Sequence, residues 1–212
     1  MLYEELAPKG LEIVTVAMDS RPELARAQIE RVKPTYTSLV DRDHRVADLY
    51  NMTNVPQSVW IDEDGRLVRP TEVAGFQVSR KLRAVRKFYM DAVRDWVEKG
   101  PDSDYALAEH EVKAKMPVFT DDIARAHALF HLGEALHRSG NTSEAQETIQ
   151  RAVDLHPESW NFYRQMKNLE SPWKASGPAY LGRVISRALG GASYYPLPDM
   201  PGIEEVAGKR RR

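Results

Sequence analysis

The stretch NMTNVPQSVWIDEDGRLV, residues 51–68, decides how the first half of the chain is interpreted. Its second half places the apolar Val59 and Ile61 two residues apart, which is the period of a half-buried strand. Asp64-Gly65 then gives a hairpin turn signal, because glycine adopts positive φ at no steric cost. The stretch therefore predicts a strand, a tight turn and the start of a second strand.

The elements around this hairpin alternate between helix and strand. The run LEIVTVAM, residues 11–18, is nearly continuous in apolar and β-branched residues, which predicts a strand buried on both faces, as in a parallel sheet. Gly10 is placed to end a helix formed by the residues before it. The other predicted elements of the first half are, in order, a helix from Pro22 that Asp19-Ser20 caps and Lys33-Pro34 ends, a strand or extended segment at 35–40, a helix at 44–52, a return strand at 66–75 with Pro70 at an edge or bulge, and a helix at 78–99.

This order of elements resembles the thioredoxin fold, and within it the redoxin, AhpC/TSA and TlpA/ResA-like proteins. The segment LYEELAPKGLEIVTVAMD is similar to the end of that family's first helix and the strand after it. LVDRDHRVADLYNMTNVPQSVWIDEDGRLV is similar to the family's D-x-x-x-x-V-A-x-x-Y-x-V-x-x-V-P segment and terminal hairpin. Gly75 stands where the family has a glycine before its last helix. The resemblance predicts an α/β, thioredoxin-like domain over residues 1–100.

The resemblance also implies a substrate-contact site at Asn54, Val55 and Pro56. The family's equivalent proline is cis and faces its active-site cysteines. The backbone N–H and C=O of the residue before it, here Val55, then bind an extended peptide by strand addition. The residues alone leave a second interpretation open, in which Pro56 only shapes the turn before the strand. Protein or peptide thiols are the partners that the resemblance implies.

The chain contains no cysteine. Thiolate catalysis, disulfides and thiolate metal sites are therefore excluded for these residues. The family's first strand and the Cys-x-x-Cys motif after it have no counterpart in this sequence. We therefore expect a central strand to be missing from the sheet and the apolar surface of residues 11–18 to be exposed.

Two explanations of this missing strand are open. In one, another element or a second chain completes the sheet. In the other, the protein starts upstream of Met1: a related redox group carries selenocysteine there, in a Trp-Ala-x-x-Sec-Gly-x-x-Cys motif whose UGA codon is taken for a stop, and HPESWNFYRQMKNLE, residues 156–170, is similar to that group. The expected function is that of a redox protein of the thiol–disulfide oxidoreductase or peroxiredoxin-like lineage. Its catalytic Cys or Sec would lie upstream of Met1, so residues 1–212 alone are expected to be inactive. The alternative is a non-catalytic peptide-binding or assembly module.

Charge and hydropathy argue against nucleic-acid and membrane partners and against secretion. A net charge of −1 gives no long-range field that would attract nucleic acid or anionic membrane. No apolar run approaches the roughly 20 residues that span a bilayer. The N-terminus MLYEELAPKG lacks the basic and apolar regions of a signal peptide. We expect a cytoplasmic protein with no cofactor and no nucleic-acid or membrane partner, and a homo-oligomer stays open.

The second half of the chain predicts helices only, three over residues 121–170 and one near 178–189. Residues 126–159 resemble one tetratricopeptide (TPR) repeat. The matching positions are Leu129, Leu132, Gly133 and Leu136 in the first helix, Ala145, Ile149 and Ala152 in the second, and Pro157 at the end. Small residues at Gly133 and Ala145 let the two helices approach closely, and Thr142 or Ser143 is expected to cap the second helix.

One repeat cannot bury its own surface, since arrays normally need about three. It must therefore pack on other helices, and a peptide-binding groove, a cover for the sheet and a dimer surface are all compatible with it. The predicted division is a thioredoxin-like domain at 1–100, a helical region at 101–170 and a helical or irregular tail at 171–212. The basic end at 209–212 is expected to be solvated.

No residue of the chain is predicted to be catalytic or to bind a metal. His127 and His131 have the i, i+4 spacing of a metal pair, but no HExxH acid and no third ligand accompany them, so both are predicted to be surface or groove histidines. The acidic turns around Asp41 and Asp62 are predicted to be solvated. Packing roles are predicted for the aromatic residues Trp60, Tyr163, Trp173, Tyr194 and Tyr195.

Overall fold

A hairpin forms where the sequence predicts it. In the computed structural model, which describes residues 2–18, 22–74 and 83–208 and leaves aside the side chains of 172 and 173, strand β3 (Gln57–Ile61) pairs antiparallel with β4 (Leu67–Val73). Gly65 has a φ of 79° in the turn, as its type predicts. The register slips between Ser58 and Trp60, so β4 has an extra residue there, beside Pro70. The prediction that Pro70 lies at an edge or a bulge is confirmed.

A parallel strand pair precedes the hairpin. Strand β1 (Val14–Met18) pairs in parallel with β2 (Thr37–Asp41), and helix α2 (Pro22–Val32) connects them. A parallel pair needs such a crossover, because its strands run in the same direction. The first helix, α1 (Leu2–Leu6), continues as a 3₁₀ turn, Ala7–Lys9, and ends at Gly10 with a φ of 96°, as predicted. The chain is thus mixed α/β.

Asp41, at the end of β2, binds the first turn of the next helix through its carboxylate. Its carboxylate accepts hydrogen bonds from the backbone N–H groups of Arg45 at 2.9 Å, Val46 at 2.7 Å and Ala47 at 3.3 Å. These are the first turn of α3 (Arg45–Leu49), where backbone donors have no helical partner and a negative charge is favourable. Asp41 is buried, so the prediction of a solvated turn is wrong at this position.

Helix α4 (Arg83–Lys99) packs on the hairpin. Tyr89, which is fully buried, places its phenol 2.7 Å from the hydroxyl of Ser58 and accepts a hydrogen bond from Trp60 Nε1 at 2.9 Å. The Trp60 ring stacks on Trp96 at 5.0 Å. Leu6 of α1 lies in the same core. This core is therefore built from the hairpin, α4 and α1, with no buried side chain from β1.

The C-terminal segment completes this core. Its helix α10 (Ile203–Gly208) buries Ile203, and the preceding Met200 is also buried. Arg69 of β4 is almost fully buried and donates to the Glu72 carboxylate at 2.7 and 2.9 Å, and to the carbonyl of Asp199 at 2.5 Å. Nearby helix α5 (Glu109–Lys115) contributes Lys115, which pairs with the Asp199 carboxylate. The buried guanidinium of Arg69 thus links the segment around Asp199 to strand β4 of the hairpin.

A second set of helices forms its own core, from α6 (Asp121–Arg138), α7 (Thr142–Leu155), α8 (Trp160–Glu170) and α9 (Pro178–Leu189). A Cβ added at Gly133 of α6 would lie inside the van der Waals distance of Ile149 Cγ1 and 3.1 Å from the Ala145 carbonyl oxygen. Only glycine therefore allows α6 and α7 to approach this closely, which confirms the predicted role of Gly133 and Ala145. The predicted helices at 121–170 and 178–189 are confirmed.

Two details of this helical region differ from the predictions. Leu132 is about half exposed, so it does not occupy a closed packing position between α6 and α7. The second helix begins with Thr142, after Asn141 at the N-cap, and no side chain there makes a capping bond, so the predicted cap by Thr142 or Ser143 is wrong. The backbone N–H of Ala145 instead bonds to the Asn141 carbonyl, as in the helix interior.

The contacts divide the described chain into two units. Unit 1 comprises the described parts of 1–50, 56–116 and 197–212, and unit 2 comprises 51–55 and 117–196. This division differs from the predicted one in both directions, since residues 101–116 and 197–208 belong with the hairpin and 51–55 belong with the helices. Some predictions lie outside the described residues, namely those for Asp19-Ser20, Gly75, residues 78–82, residues 209–212 and the side chain of Trp173.

Candidate functional site

Each strand pair of unit 1 has two open edges in the described residues, and those on β1 and β3 are the edges that the expected central strand would join. Strands β1 and β2 form one two-stranded sheet and β3 and β4 another, and no strand in the described residues lies beside the second edge of β1 or of β3. Side chains of the parallel pair are poorly covered, since Val14 is 56% and Leu39 is 50% exposed. A sheet edge without a neighbouring strand, beside exposed apolar side chains, is a site where a further strand can pair.

Residues 51–55, which include two of the predicted site residues, are held by the helices of unit 2. The backbone N–H of Asn161 on α8 donates to the Thr53 carbonyl at 3.1 Å, and its side-chain amide donates to the Met52 carbonyl at 2.6 Å. Asn54 is buried. One asparagine thus binds two successive carbonyls and holds Met52 and Thr53 on α8.

Both backbone groups of Val55 have partners within unit 2. The N–H donates to Asn54 Oδ1 at 2.8 Å, and the carbonyl accepts from the phenol of Tyr195 at 3.0 Å. The side-chain amide of Asn54 donates in turn to the carbonyl of Tyr194 at 2.8 Å. The segment after α9 therefore lies directly on the backbone that the sequence predicts to contact a peptide.

Tyr194 and Tyr195 are held unequally. The Tyr194 ring packs edge-on against Trp160 at 4.5 Å and against Tyr180 at 5.7 Å. Tyr195 is 39% exposed and touches the Tyr194 ring at 4.3 Å. Burial, together with the neighbouring Tyr194 phenol, raises the pKa of Tyr195 above its usual value, so this phenol keeps its proton at neutral pH and stays a donor. The packing role predicted for both tyrosines holds for Tyr194 more than for Tyr195.

Pro56 belongs to unit 1, and the division between the units falls between it and Val55. Its carbonyl accepts from the N–H of Ala74 at 3.2 Å, just beyond the end of β4. The structure thus places Asn54 and Val55 in one unit and Pro56 in the other. A peptide-contact role for the three residues stays a prediction, as does the cis form of Pro56.

Histidines form a cluster that the sequence did not indicate. The His127 ring lies 5.0 Å from Phe162 and 6.1 Å from the buried His156, so His127 is among aromatic rings rather than on an open surface. His131 Nδ1 is 3.6 Å from the carboxylate of Glu134. Burial first, then the nearby His127, lowers the pKa of His156. Within the described residues, no three His, Asp or Glu side chains are grouped to hold a metal ion.

A comparison of the chain with protein-family models, with curated proteins and with solved structures finds no match. The thioredoxin-like and TPR-like relations therefore stay predictions, and function is inferred from the geometry of the chain itself. Among the described residues, no helix has the length and apolar character needed to cross a bilayer. The cytoplasmic location stays a prediction.

Proposed function

We propose that the four strands of unit 1 are the outer strands of a thioredoxin-like sheet that lacks its central strand. We propose further that the protein acts in thiol–disulfide or peroxide chemistry once a central strand completes this sheet. The observation that carries this proposal is the pair of open edges on β1 and β3. A strand between them would pair with both and join the two sheets into one five-stranded sheet.

The direction of each strand pair supports this assignment. In the family that the sequence resembles, a parallel βαβ unit flanks the central strand on one side and an antiparallel hairpin followed by a helix flanks it on the other. Here β1, α2 and β2 make the parallel unit, and β3, β4 and α4 make the second part. The chain thus has the two flanks in the family's order and lacks the strand between them in its described residues.

The exposure of the parallel pair supports it as well. No β1 residue is buried, although the sequence of β1 is of the kind found in strands covered on both faces. Parallel pairs occur almost only where other layers cover them. A central strand, with the helix that follows it in this fold, would cover Val14 and Leu39.

The chemistry requires a group from outside residues 1–212. Disulfide exchange needs a thiolate or selenolate that attacks sulfur, and peroxide reduction needs one that attacks oxygen. The chain has no cysteine, so none of its own side chains can do either. In the proposal, the Cys or Sec lies on the segment that supplies the central strand. Val55, with Asn54 beside it, is the residue proposed to contact the substrate peptide.

The open edges also favour a second function without catalysis. Strand addition needs only backbone groups, so a partner chain could complete the sheet and make the protein an assembly module. In this case the helices of unit 2, whose close pair at Gly133 supports a TPR-like unit, would bind a peptide or cover a neighbouring surface. The two functions differ in whether a completed sheet reduces disulfides or peroxides.

The test uses the DNA upstream of the Met1 codon and the protein that it encodes. We expect an in-frame UGA or a cysteine codon preceded by codons for a strand. A chain extended to include them should reduce a protein disulfide or hydrogen peroxide, and residues 1–212 should not. Replacing the upstream Cys or Sec by Ser is the matched control and should abolish the activity.

A folded extended chain without thiol-dependent activity would overturn the redox function. If the same extended chain binds a partner strand or a peptide instead, the assembly function replaces the redox function. An upstream region without coding potential would also remove the redox function, because no catalytic group could then precede residue 1.

A further inference from the structure

The segment that follows α9 returns to a backbone 140 residues earlier in the chain. Two hydrogen bonds join them, one from the Tyr195 phenol to the Val55 carbonyl and one from the Asn54 amide to the Tyr194 carbonyl. Both ends belong to unit 2. A contact between such distant positions holds the segment on this edge rather than on the surface at large.

We infer that residues 193–196 are a strap that occupies the peptide-contact edge at Asn54 and Val55 and must leave before an extended partner binds there. This inference rests on the proposed function, which assigns the edge to a substrate peptide. The partner is the class of ligand that the strap imitates: a segment with two adjacent aromatic residues, of which the second carries a phenol.

The strap has one fixed and one releasable residue. Tyr194 is fixed by Trp160 and Tyr180, with which it shares the aromatic core of unit 2. Tyr195 is partly exposed and meets Val55 through one hydrogen bond, which water can replace. Release of the Val55 carbonyl therefore needs only a rotation of the Tyr195 side chain and leaves the Trp160 contact intact. Full opening needs Tyr194 to leave Trp160 as well.

These contacts define what a partner must supply. It must present an apolar ring to Trp160, an acceptor to the Asn54 amide and a donor to the Val55 carbonyl. A backbone carbonyl and two successive aromatic side chains meet all three requirements, as they do in SYYP at 193–196. Aromatic pairs add specific ring contacts to the buried area, so this class is favoured over aliphatic peptides.

The first measurement locates the contact. Valine labelled with ¹³C at the carbonyl is observed by carbon-detected NMR, since Pro56 has no N–H through which to detect the preceding carbonyl. Tyr195→Phe removes the phenol and keeps the ring, and it should shift the Val55 carbonyl resonance. Tyr163→Phe is the matched control, because the Tyr163 phenol donates to the Ala179 carbonyl at 3.2 Å in the same unit. This control should leave the Val55 resonance unchanged.

The second measurement tests occupancy. A fluorescein-labelled synthetic peptide of residues 190–197, GGASYYPL, is titrated into the chain and its anisotropy is followed. Loss of one strap hydrogen bond raises the open population, so Tyr195→Phe should bind the peptide about fivefold more tightly than the unsubstituted chain. Tyr163→Phe should bind like the unsubstituted chain. The same peptide with both tyrosines replaced by Ala should bind no variant.

Equal peptide affinity for Tyr195→Phe and the unsubstituted chain would overturn the strap, and so would an unchanged Val55 resonance in Tyr195→Phe. Neither result bears on the redox activity of the extended chain, which is measured separately. Inactivity of the extended chain overturns the proposed redox function, whereas the NMR and peptide results decide the strap.

Discussion

The α6–α8 helices and the β1–α2–β2 layer differ in how their apolar side chains are covered. In the helices, Phe130 is fully buried and stacks on Phe162 at 4.3 Å, and Ile149 fills the space beside Gly133. In the layer, Val14 and Leu39 are at least half exposed. A helix satisfies its backbone internally and needs cover on one side, whereas a parallel strand needs neighbours at both edges and cover on both faces. The difference shows which part of the chain is complete by itself.

The largest expected effect compares one truncation in each region. Phe130→Ala should lower the free energy of unfolding by about 3–5 kcal/mol, because it leaves a cavity in a closed core. Leu39→Ala should lower it by less than about 1 kcal/mol, because half of that side chain already faces solvent. Urea unfolding followed by circular dichroism measures both. Equal losses would mean that the layer is covered in solution.

The next effect compares two glycines in helices. Gly133→Ala should cost about 1–3 kcal/mol, because the new methyl group meets Ile149 and the Ala145 carbonyl. Gly182→Ala on α9 should stabilise by up to about 1 kcal/mol, since no atom lies within 4 Å of its added Cβ and alanine is the better helix former. Thermal unfolding of the two variants checks both signs. A stable Gly133→Ala variant would contradict the close approach of α6 and α7.

Hydrogen exchange compares the stability of the β1–α2–β2 layer with that of the helices in the unsubstituted chain. Amides of β1 and β2 should exchange at least about tenfold faster than those in the middle of α6 and α7, because a two-stranded sheet with little buried surface opens at low cost. Mass spectrometry of proteolytic peptides measures the two sets of rates, with 11–18 and 35–41 covering the strands and 126–136 and 145–153 covering the helices. Chains extended by the proposed central strand should lose this difference. Equal protection in residues 1–212 alone would argue against an incomplete sheet.

The smallest expected effect is the response of the helical unit to acid. The pKa of His156 is lowered in the folded state, so the unfolded state binds the proton more readily. The stability from neutral His156 is therefore present above about pH 6.5, the ordinary histidine pKa, and is lost as pH falls below it. His127 adds to the effect and Glu158 opposes it.

His156→Gln should flatten the fall in melting temperature between pH 7.5 and 5.5, whatever its effect on absolute stability. The exposed His110→Gln is the control and should leave the slope unchanged. An unchanged slope in His156→Gln would show that other groups cause the acid response.

Local signals predicted most elements of the fold. The 178–189 helix and the bulge beside Pro70 follow from helical spacing and from the missing N–H of proline. The packing position predicted for Leu132 is wrong, because spacing alone does not say which side of a helix its neighbours cover. The prediction of a solvated turn at Asp41 is wrong, because the role of Asp41 depends on the backbone donors of a helix that starts four residues later.

The candidate site was predictable only in part. The stretch at 51–68 indicated Asn54, Val55 and Pro56, but the hydrogen bonds that hold the preceding Met52 and Thr53 come from Asn161, more than a hundred residues away. The contact between Tyr195 and Val55 has no local signal, since a Tyr-Tyr pair before proline is equally typical of a surface turn. Long-range hydrogen bonds of this kind follow from the tertiary structure rather than from periodicity or residue type.

The buried Arg69 also sets an order of events during synthesis. Its partner Glu72 lies three residues away in the same strand, whereas Asp199 lies 130 residues further along the chain, long after the hairpin has been made. Until that segment leaves the ribosome, a guanidinium that ends almost fully buried lacks one of its acceptors, and Met200 and Ile203 are missing from the core. The helices of unit 2 are complete earlier. The part of the protein translated first is therefore the part that finishes folding last.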